Sequence, residues 1–461
     1  MRERRKYDAV IVGAGQAGAP LATSLASAGW RTALVERIHV GGTCINEGCT
    51  PSKTLVASAR VAYLSRRARD YGIATGSVTV DMPAVWKRKQ LLVDSWRDGS
   101  QRRLQRTKNL DLLLGEAFFL EPHTLEVRLP AGESLAVEAG KIFINTGNRP
   151  AVPPLAGLDS VPYLDSTSIM DIDFVPPHLL VLGGGYVGVE FGQMFRRFGS
   201  EITLVQRRNA LLPREDTDVS ETLTAILRED GVRVLLGTEA LSVKREIDGS
   251  LELQLQTAAG MTSLRGSHLL LAAGRIPNTE ALRLEAAGLK TDSAGYIPVN
   301  DRLETRLEGI YALGDVNGGP AFTHVSYDDF RVVRTNLLGE GGATTRDRLP
   351  CYAVFTDPEL GRVGLTEREA RERGLDFRIF TLPMRHVPRA IETGETRGLM
   401  KAVVDNKDDR ILGCAILGIQ GAEVMSMLQM AMMSGLSAAQ LRDAVFAHPA
   451  LAEALNILFD Q

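Results

Sequence analysis

Tyr7-Asp8-Ala9-Val10-Ile11-Val12-Gly13-Ala14-Gly15-Gln16-Ala17-Gly18 decides the fold. Tyr7 to Val12 reads as a buried strand that runs straight into a glycine turn, and the small residues from Ala19 to Ala28 read as a helix. Glycines here permit a tight turn, close backbone approach to a pyrophosphate and tight helix packing. The helix N-terminus offers unpaired N–H groups to the phosphate charge. A second strand, Thr32 to Val35, ends in Glu36, an acid placed to accept the ribose hydroxyls of an adenosine. Gly13, Gly15, Gly18 and Glu36 thus form one dinucleotide-binding set.

The arrangement returns at Leu179 to Leu182, the turn Gly183-Gly184-Gly185-Tyr186-Val187-Gly188, a helix from Val189 and a strand from Ile202 to Val205. Gly13, Gly15, Gly18 and Glu36 become Gly183, Gly185, Gly188 and Gln206, a constant offset of 170 positions. The chain therefore holds two nucleotide-binding folds, one for each of two dinucleotides. At the fourth position Gln206 replaces the acid, with Arg207 and Arg208 behind it. Losing the carboxylate removes repulsion against a 2′-phosphate, and the arginines can bind it unless they are merely solvated surface charges. NADPH is expected over NADH.

Between the copies stands Gly41-Gly42-Thr43-Cys44-Ile45-Asn46-Glu47-Gly48-Cys49-Thr50-Pro51-Ser52-Lys53. Two thiols at this spacing close a small ring if the first lies in a turn and the second opens a helix, where Pro51 is acceptable. A helix start and Lys53 both favour a thiolate. We read a redox-active disulfide. Inert core thiols would not need the surrounding glycines and lysine, and a zinc site lacks a nearby His pair.

Near the C-terminus His448-Pro449 precedes Glu453. A histidine moves protons near neutral pH, and a carboxylate on its other nitrogen fixes its tautomer, so this reads as an acid–base dyad carried on the closing helix. The methionines of the helix Glu423 to Met433 read as core or interface rather than a metal site.

The chain of 461 residues suggests about three domains. A net charge of −3, with no basic block beyond Arg2 to Lys6, argues against nucleic acid or an anionic membrane as partner. No apolar run approaches the roughly 18 residues of a membrane helix. Four cysteines make a poor framework for a secreted protein, so the expected location is the cytoplasm.

These residues resemble the pyridine nucleotide-disulfide oxidoreductases, which include dihydrolipoamide dehydrogenase, glutathione reductase and mercuric reductase. The resemblance covers the cysteine stretch, both glycine turns, Thr146-Gly147-Asn148-Arg149-Pro150, Gly274-Arg275-Ile276-Pro277-Asn278, Thr305, Ile310-Tyr311-Ala312-Leu313-Gly314-Asp315 and His448-Pro449 with Glu453. It implies an α/β chain with two Rossmann-like dinucleotide-binding domains and a C-terminal α+β dimerisation domain. The expected division is an FAD-binding domain at 1–150, an NAD(P)H-binding domain at 151–273, a return to the FAD domain at 274–349 and an interface domain at 350–461. The implied FAD contacts are the first glycine set with Glu36, Gly42, Thr43, Lys53, Gly115, Thr146, Gly147, Asp315 and Thr323. The second set with Gln206, Arg207, Arg208 and Gly274 holds the pyridine nucleotide. His324 beside Thr323 is placed near the flavin or in the core.

By the same resemblance, hydride passes from NADPH to FAD and on to a Cys44–Cys49 disulfide. Cys49 faces the flavin, Cys44 attacks the substrate, and His448, oriented by Glu453, reaches across a homodimer to protonate the leaving thiolate. Lys53 and Glu190 match a family pair beside the flavin. Ala450 and Ala452 replace hydroxyl residues common in dihydrolipoamide dehydrogenases. The stretch Ala390-Ile391-Glu392-Thr393-Gly394-Glu395-Thr396-Arg397-Gly398 is similar to mercuric reductase-like chains, yet the tail to Gln461 carries no cysteine pair. The expected acceptor is a small or protein disulfide. Reduction of a soft metal ion comes second, and a flavin-loaded redox-sensing or structural subunit third.

Overall fold

The computed structural model describes residues 3–130 and 132–461. Met1 and Arg2, at the head of the basic tract, lie outside the described residues. The chain forms two compact units. The first comprises Met1–Thr54, Trp86–Ala151 and Arg275–Arg348, the second Leu55–Val85, Val152–Gly274 and Leu349–Gln461.

The first run contains β1 (Glu3–Val12), α1 (Gly18–Ser27), β2 (Thr32–Glu36), α2 (Gly42–Asn46), α3 (Cys49–Arg66), α4 (Met82–Arg106), β3 (Leu110–Leu114), β4 (Glu116–Glu121), β5 (Thr124–Arg128), β6 (Ser134–Ile144) and β7 (Asn148–Pro150). β1 lies between parallel neighbours, with Ala9 to Val12 paired to Thr32–Val35 of β2 and to Lys141–Ile144 of β6. A strand enclosed on both sides reads as a continuous apolar run, and Ala9, Val10 and Ile11 are fully buried. Side chains the size of Val10 and Ile11 each contribute about 1.5–3 kcal/mol by leaving water.

β1 begins earlier than the apolar pattern showed. Arg4 and Lys6 belong to it, and both pair with Glu138 of β6. β3 and β4 are adjacent in the chain and separated only by Gly115. A Cβ at Gly115 would lie 2.5 Å from the carbonyl oxygen of Arg128.

The middle of the chain forms β8 (His178–Leu182), α5 (Tyr186–Phe198), β9 (Glu201–Val205), α6 (Thr217–Glu229), β10 (Arg233–Leu235), β11 (Glu239–Arg245), β12 (Leu251–Thr257), β13 (Gly260–Gly266) and β14 (His268–Leu271). Its parallel sheet has the order β10-β9-β8-β14, beside an antiparallel sheet β11-β12-β13. β15 (Arg275–Pro277) then pairs antiparallel with β7, so the stretches on either side of this nucleotide fold are hydrogen-bonded to each other. β16 (Ile310–Ala312) pairs with β6, completing the first unit's sheet, β3-β2-β1-β6-β5-β4 with β16 on β6. α7 (Thr323–Leu338) follows.

The last run holds β17 (Cys351–Val354), β18 (Glu359–Gly364), α8 (Glu367–Glu372), β19 (Phe377–Pro383), α9 (Pro388–Glu392), β20 (Leu399–Asp405), β21 (Ile411–Gly418), α10 (Gly421–Met433), α11 (Ala438–Arg442) and α12 (Ala454–Phe459). An antiparallel sheet β17-β18-β21-β20-β19 packs Val363, Ile416 and Cys414 against Val424 and Leu428 of α10. The α10 methionines divide, with Met425 buried and Met427, Met430 and Met433 exposed.

The fold is thus the mixed α/β architecture that the two glycine turns implied. No helix among the described residues is long and apolar enough to cross a membrane.

Candidate active site

The two glycine turns have the same geometry. Gly13 has φ +104°, and a Cβ there would lie 2.3 Å from the carbonyl oxygen of Asn145. Gly183 has φ +113°, with the same 2.3 Å to the oxygen of Ala272. Only glycine fits either place. α1 and α5 each begin without a side-chain cap from the residue that precedes them and without an acid in the first turn, an arrangement that suits an anion.

At the end of β2, the Glu36 carboxylate accepts the N–H groups of Ala14 and Ile38, each at 2.9 Å. In the second unit Gln206 occupies the equivalent place, its Oε1 accepting Gly184 N–H at 3.3 Å and its Nε2 donating to Ala210 O. Arg207 extends into solvent 3.7 Å from Glu239, and the Arg208 carbonyl accepts Gly237 N–H. Gly274 has φ +125°.

Asn145 escaped the sequence reading. Its Oδ1 accepts Gly18 N–H at 2.9 Å and its Nδ2 donates to Leu313 O at 2.7 Å, tying the start of α1 to the ends of β6 and β16. Its place just before the Thr146-Gly147 motif was the available signal. Thr146 Oγ1 donates to Asn278 O at 2.8 Å, and Gly147 O accepts Asn278 N–H at 2.9 Å. Gly115 N–H donates to Glu36 O at 2.8 Å, bringing these two predicted residues together.

Cys44 lies in the short helix α2 rather than in the expected turn, while Cys49 is the first residue of α3. Both are thiols. Asn46, between them, donates to Val40 O and Gly42 O and accepts from Arg97 Nε at 2.6 Å, so it holds the intervening loop to α4. A hydrogen bond to Cys49, and then burial, hold the Cys44 thiol well above the usual thiol range, while Thr323 and Lys53 pull in the opposite direction. The Thr323 hydroxyl, at the start of α7, stands 3.4 Å from Cys49 Sγ. His324 stacks on Phe322 with ring centroids 5.4 Å apart.

Asp315 follows β16. Its carboxyl is raised by burial and by the nearby Cys49 sulfur, against the pull of Arg275. Asp329, also missed, accepts Gly314 N–H at 2.8 Å and Arg348 Nη2 at 2.7 Å, fixing the loop that carries Asp315.

These residues fit FAD. Gly42, at φ +61°, packs so closely on Gly15 that a Cβ would fall 2.8 Å from the Gly15 Cα. A cradle stripped of side chains, a helix start with no acid in its first turn, an anchored Glu36 and a half-buried acid beside a sulfur pair suit a pyrophosphate, a ribose and a polyol.

In the second unit, Glu190 is buried in α5 and accepts Phe355 N–H at 2.7 Å. His448 is not on the closing helix, which corrects the expectation. His448-Pro449 is a cis peptide in a loop before the 3-10 turn Leu451–Glu453, and α12 begins only at Ala454. His448 Nδ1 lies 2.9 and 3.1 Å from the two Glu453 oxygens, so the histidine and the acid do meet. This leaves Nε2 as the ring nitrogen for proton exchange.

The chain thus carries two Rossmann-type glycine turns, Cys44 in α2 with Cys49 opening α3, and a histidine–glutamate pair. Residues 7–329 match the family model of the pyridine nucleotide-disulphide oxidoreductases and residues 351–458 match that family's dimerisation domain. The chain belongs to this family.

Among its relatives is the Escherichia coli "Probable pyridine nucleotide-disulfide oxidoreductase RclA", 42% identical over 98% of this chain and 99% of that one. A mercuric reductase of Streptomyces lividans is 36% identical over 98% and 95%. The solved "Cu(II) complex of HOCl-induced flavoprotein disulfide reductase RclA from Escherichia coli" has TM-score 0.90 and 41% identity, covering 99% of each chain.

Proposed function

We propose that this protein is an FAD-dependent NAD(P)H:disulfide oxidoreductase in which Cys44 and Cys49 form the redox pair. The observation that carries this reading is the sulfur pair hydrogen-bonded beside Thr323 and Asp315, within the unit that holds the Glu36 cradle. Bound flavin supplies the relay, taking hydride from the nicotinamide and returning two electrons to the disulfide. Gly13, Gly15, Gly18, Glu36, Gly42, Thr43, Lys53, Gly115, Thr146, Gly147, Asp315 and Thr323 hold it.

The Cys44 sulfur attacks the acceptor disulfide, forms a mixed disulfide and expels one thiolate. Because Cys44 is held protonated, its attack needs a base, and His448, oriented by Glu453, takes that proton and delivers it to the leaving thiolate. Cys49 then attacks Cys44, closing their disulfide and releasing the second thiolate, which is protonated in turn. One disulfide becomes two thiols, and reduction by NAD(P)H with a proton restores the pair.

In this proposal the dyad serves the sulfur pair of a partner subunit in a homodimer in the cytoplasm, and Lys53 and Glu190 flank the flavin. NADPH is preferred, through Arg207 and Arg208; a clear kinetic preference for NADH would reverse that choice. The decisive assay is Cys44→Ser in the flavin-loaded protein. Disulfide turnover is expected to vanish while hydride transfer to flavin persists, and full retained activity would refute the assignment.

A second reading, reduction of a soft or redox-active metal ion by the same dithiol, draws on the Cu(II) complex of RclA and on the mercuric reductase relatives. Metal-dependent NADPH oxidation exceeding that with every disulfide would favour it.

A further inference from the structure

We infer that the hollow beside His448 is a recognition site for the negatively charged end of a small organic disulfide, with Arg389 as the residue that selects it. The inference rests on the dithiol–disulfide reading above.

The hollow has a volume of about 500 Å³ and is built from three separate stretches of the second unit. Arg389 and Thr393 come from α9 and the residue after it. Ile419 and Gln420 come from the turn between β21 and α10. His448 and Leu451 come from the loop that carries the cis proline. Gln420 is a non-glycine residue at φ +52°, a left-handed conformation that must be held by its surroundings and that concentrates at ligand clamps.

The one formal charge of the lining is positive, on Arg389. His448 lies beside it, with no aspartate or glutamate among the lining residues. Glu453 bonds His448 Nδ1 from outside the hollow. Glu392 accepts from Arg389 Nη1 at 3.1 Å, but both side chains are nearly half exposed, so solvent screens this pair and it competes weakly with a bound anion. The guanidinium fork suits a carboxylate.

Ile419 and Leu451 give an apolar wall for a carbon skeleton, and the volume is that of a small-molecule site. No cysteine or methionine lines it, so it offers a soft metal ion no sulfur. An acceptor seated by its carboxylate on Arg389 would present its sulfurs to the ring that exchanges the proton.

The test uses the flavin-loaded full chain with NADPH and three disulfides of similar size: dithiodiglycolate, which carries carboxylates, the neutral bis-hydroxyethyl disulfide, and the cationic cystamine. The readout is the ratio of kcat/KM for dithiodiglycolate to that for the neutral disulfide. A charge-assisted hydrogen bond predicts that Arg389→Gln lowers this ratio about tenfold, chiefly through KM, and that Arg389→Lys restores part of it. Added salt should narrow the gap.

An unchanged ratio in Arg389→Gln, or equal losses with all three disulfides, overturns the site. So does a fall in oligomeric mass on Arg389→Gln seen by light scattering, which would mean that a second copy fills the hollow. If the wild type reduces none of the three while hydride still reaches flavin, the dithiol–disulfide reading itself fails. Neutral turnover with an unmoved ratio removes the recognition site alone.

Discussion

Cys44 shows how little of a residue's chemistry its type decides. Its neighbour Cys49 and its burial hold it protonated, while the Thr323 hydroxyl favours ionisation. Thr323→Val should therefore shift the alkylation of Cys44 to higher pH; the check is the rate of iodoacetamide modification of the reduced protein across pH, with mass spectrometry to assign the site. A shift to lower pH would sink this account. If His448 relays the proton, His448→Asn should lower the rate of disulfide turnover about a hundredfold or more and spare hydride transfer to flavin. Stopped-flow absorbance separates the two half-reactions. Both cysteines and His448 stood out in the sequence because the proposed chemistry needs those residue types, the cysteines near each other and the histidine near an acid. The cis peptide at His448 was not, since a proline after a histidine is equally compatible with a helix start.

Among the elements, α3 is held as much by its far end as by its cysteine. Arg60, on α3, pairs with Asp357 and lies 3.2 Å from Glu395, while Arg197 of α5 reaches the other oxygen of Asp357. The Tyr63 ring lies under the Arg197 guanidinium at 3.8 Å, and Arg397 bonds Asp230. The stretch Ala390 to Gly398, singled out by its likeness to mercuric reductase-like chains, thus supplies Glu395 and Arg397 to a buried ion network. Asp357→Ala leaves the buried Arg197 and the partly buried Arg60 without their shared acid and should cost about 3–5 kcal/mol in chemical denaturation. A loss below about 1 kcal/mol would mean that water or neighbouring acids replace it. None of these pairs was readable beforehand, since Arg60 and Asp357 lie 297 positions apart.

For the whole molecule, acid stability follows from buried carboxylates such as Asp357 and, in the same unit, Asp216 beside Arg362 and Lys401. Burial pushes Asp357 and Asp216 up, but Arg197 and Arg60 around the first, and Arg362 and Lys401 around the second, hold both below the ordinary aspartate range. A depressed folded value means that the unfolded chain binds more protons. The stability is fully present above the unfolded pKa and is lost as pH falls through the folded one. Thermal melts should therefore drop steeply below about pH 4, and Asp357→Asn should flatten that drop. An equally steep profile in the variant would assign the acid loss elsewhere. The dimerisation domain matched at 351–458 also predicts a particle of twice the 50.1 kDa chain mass in light scattering, and a monomer would leave the dyad without a partner's sulfur pair.

The amino-acid order alone determined the architecture and the candidate chemistry. Gly13 and Gly183 are demanded by positive φ and backbone contact within a local turn, and the cysteine spacing is local in the same way. Such constraints act over a few residues, so they leave a readable pattern. Tertiary structure decided what depends on distant partners: Asn145 on Gly18, Arg97 on Asn46, Asp329 under the Asp315 loop, and the hollow that Arg389 and His448 both line. A hydrogen bond or a cavity wall needs only two groups close in space, and chain folding brings them there without any mark in sequence spacing.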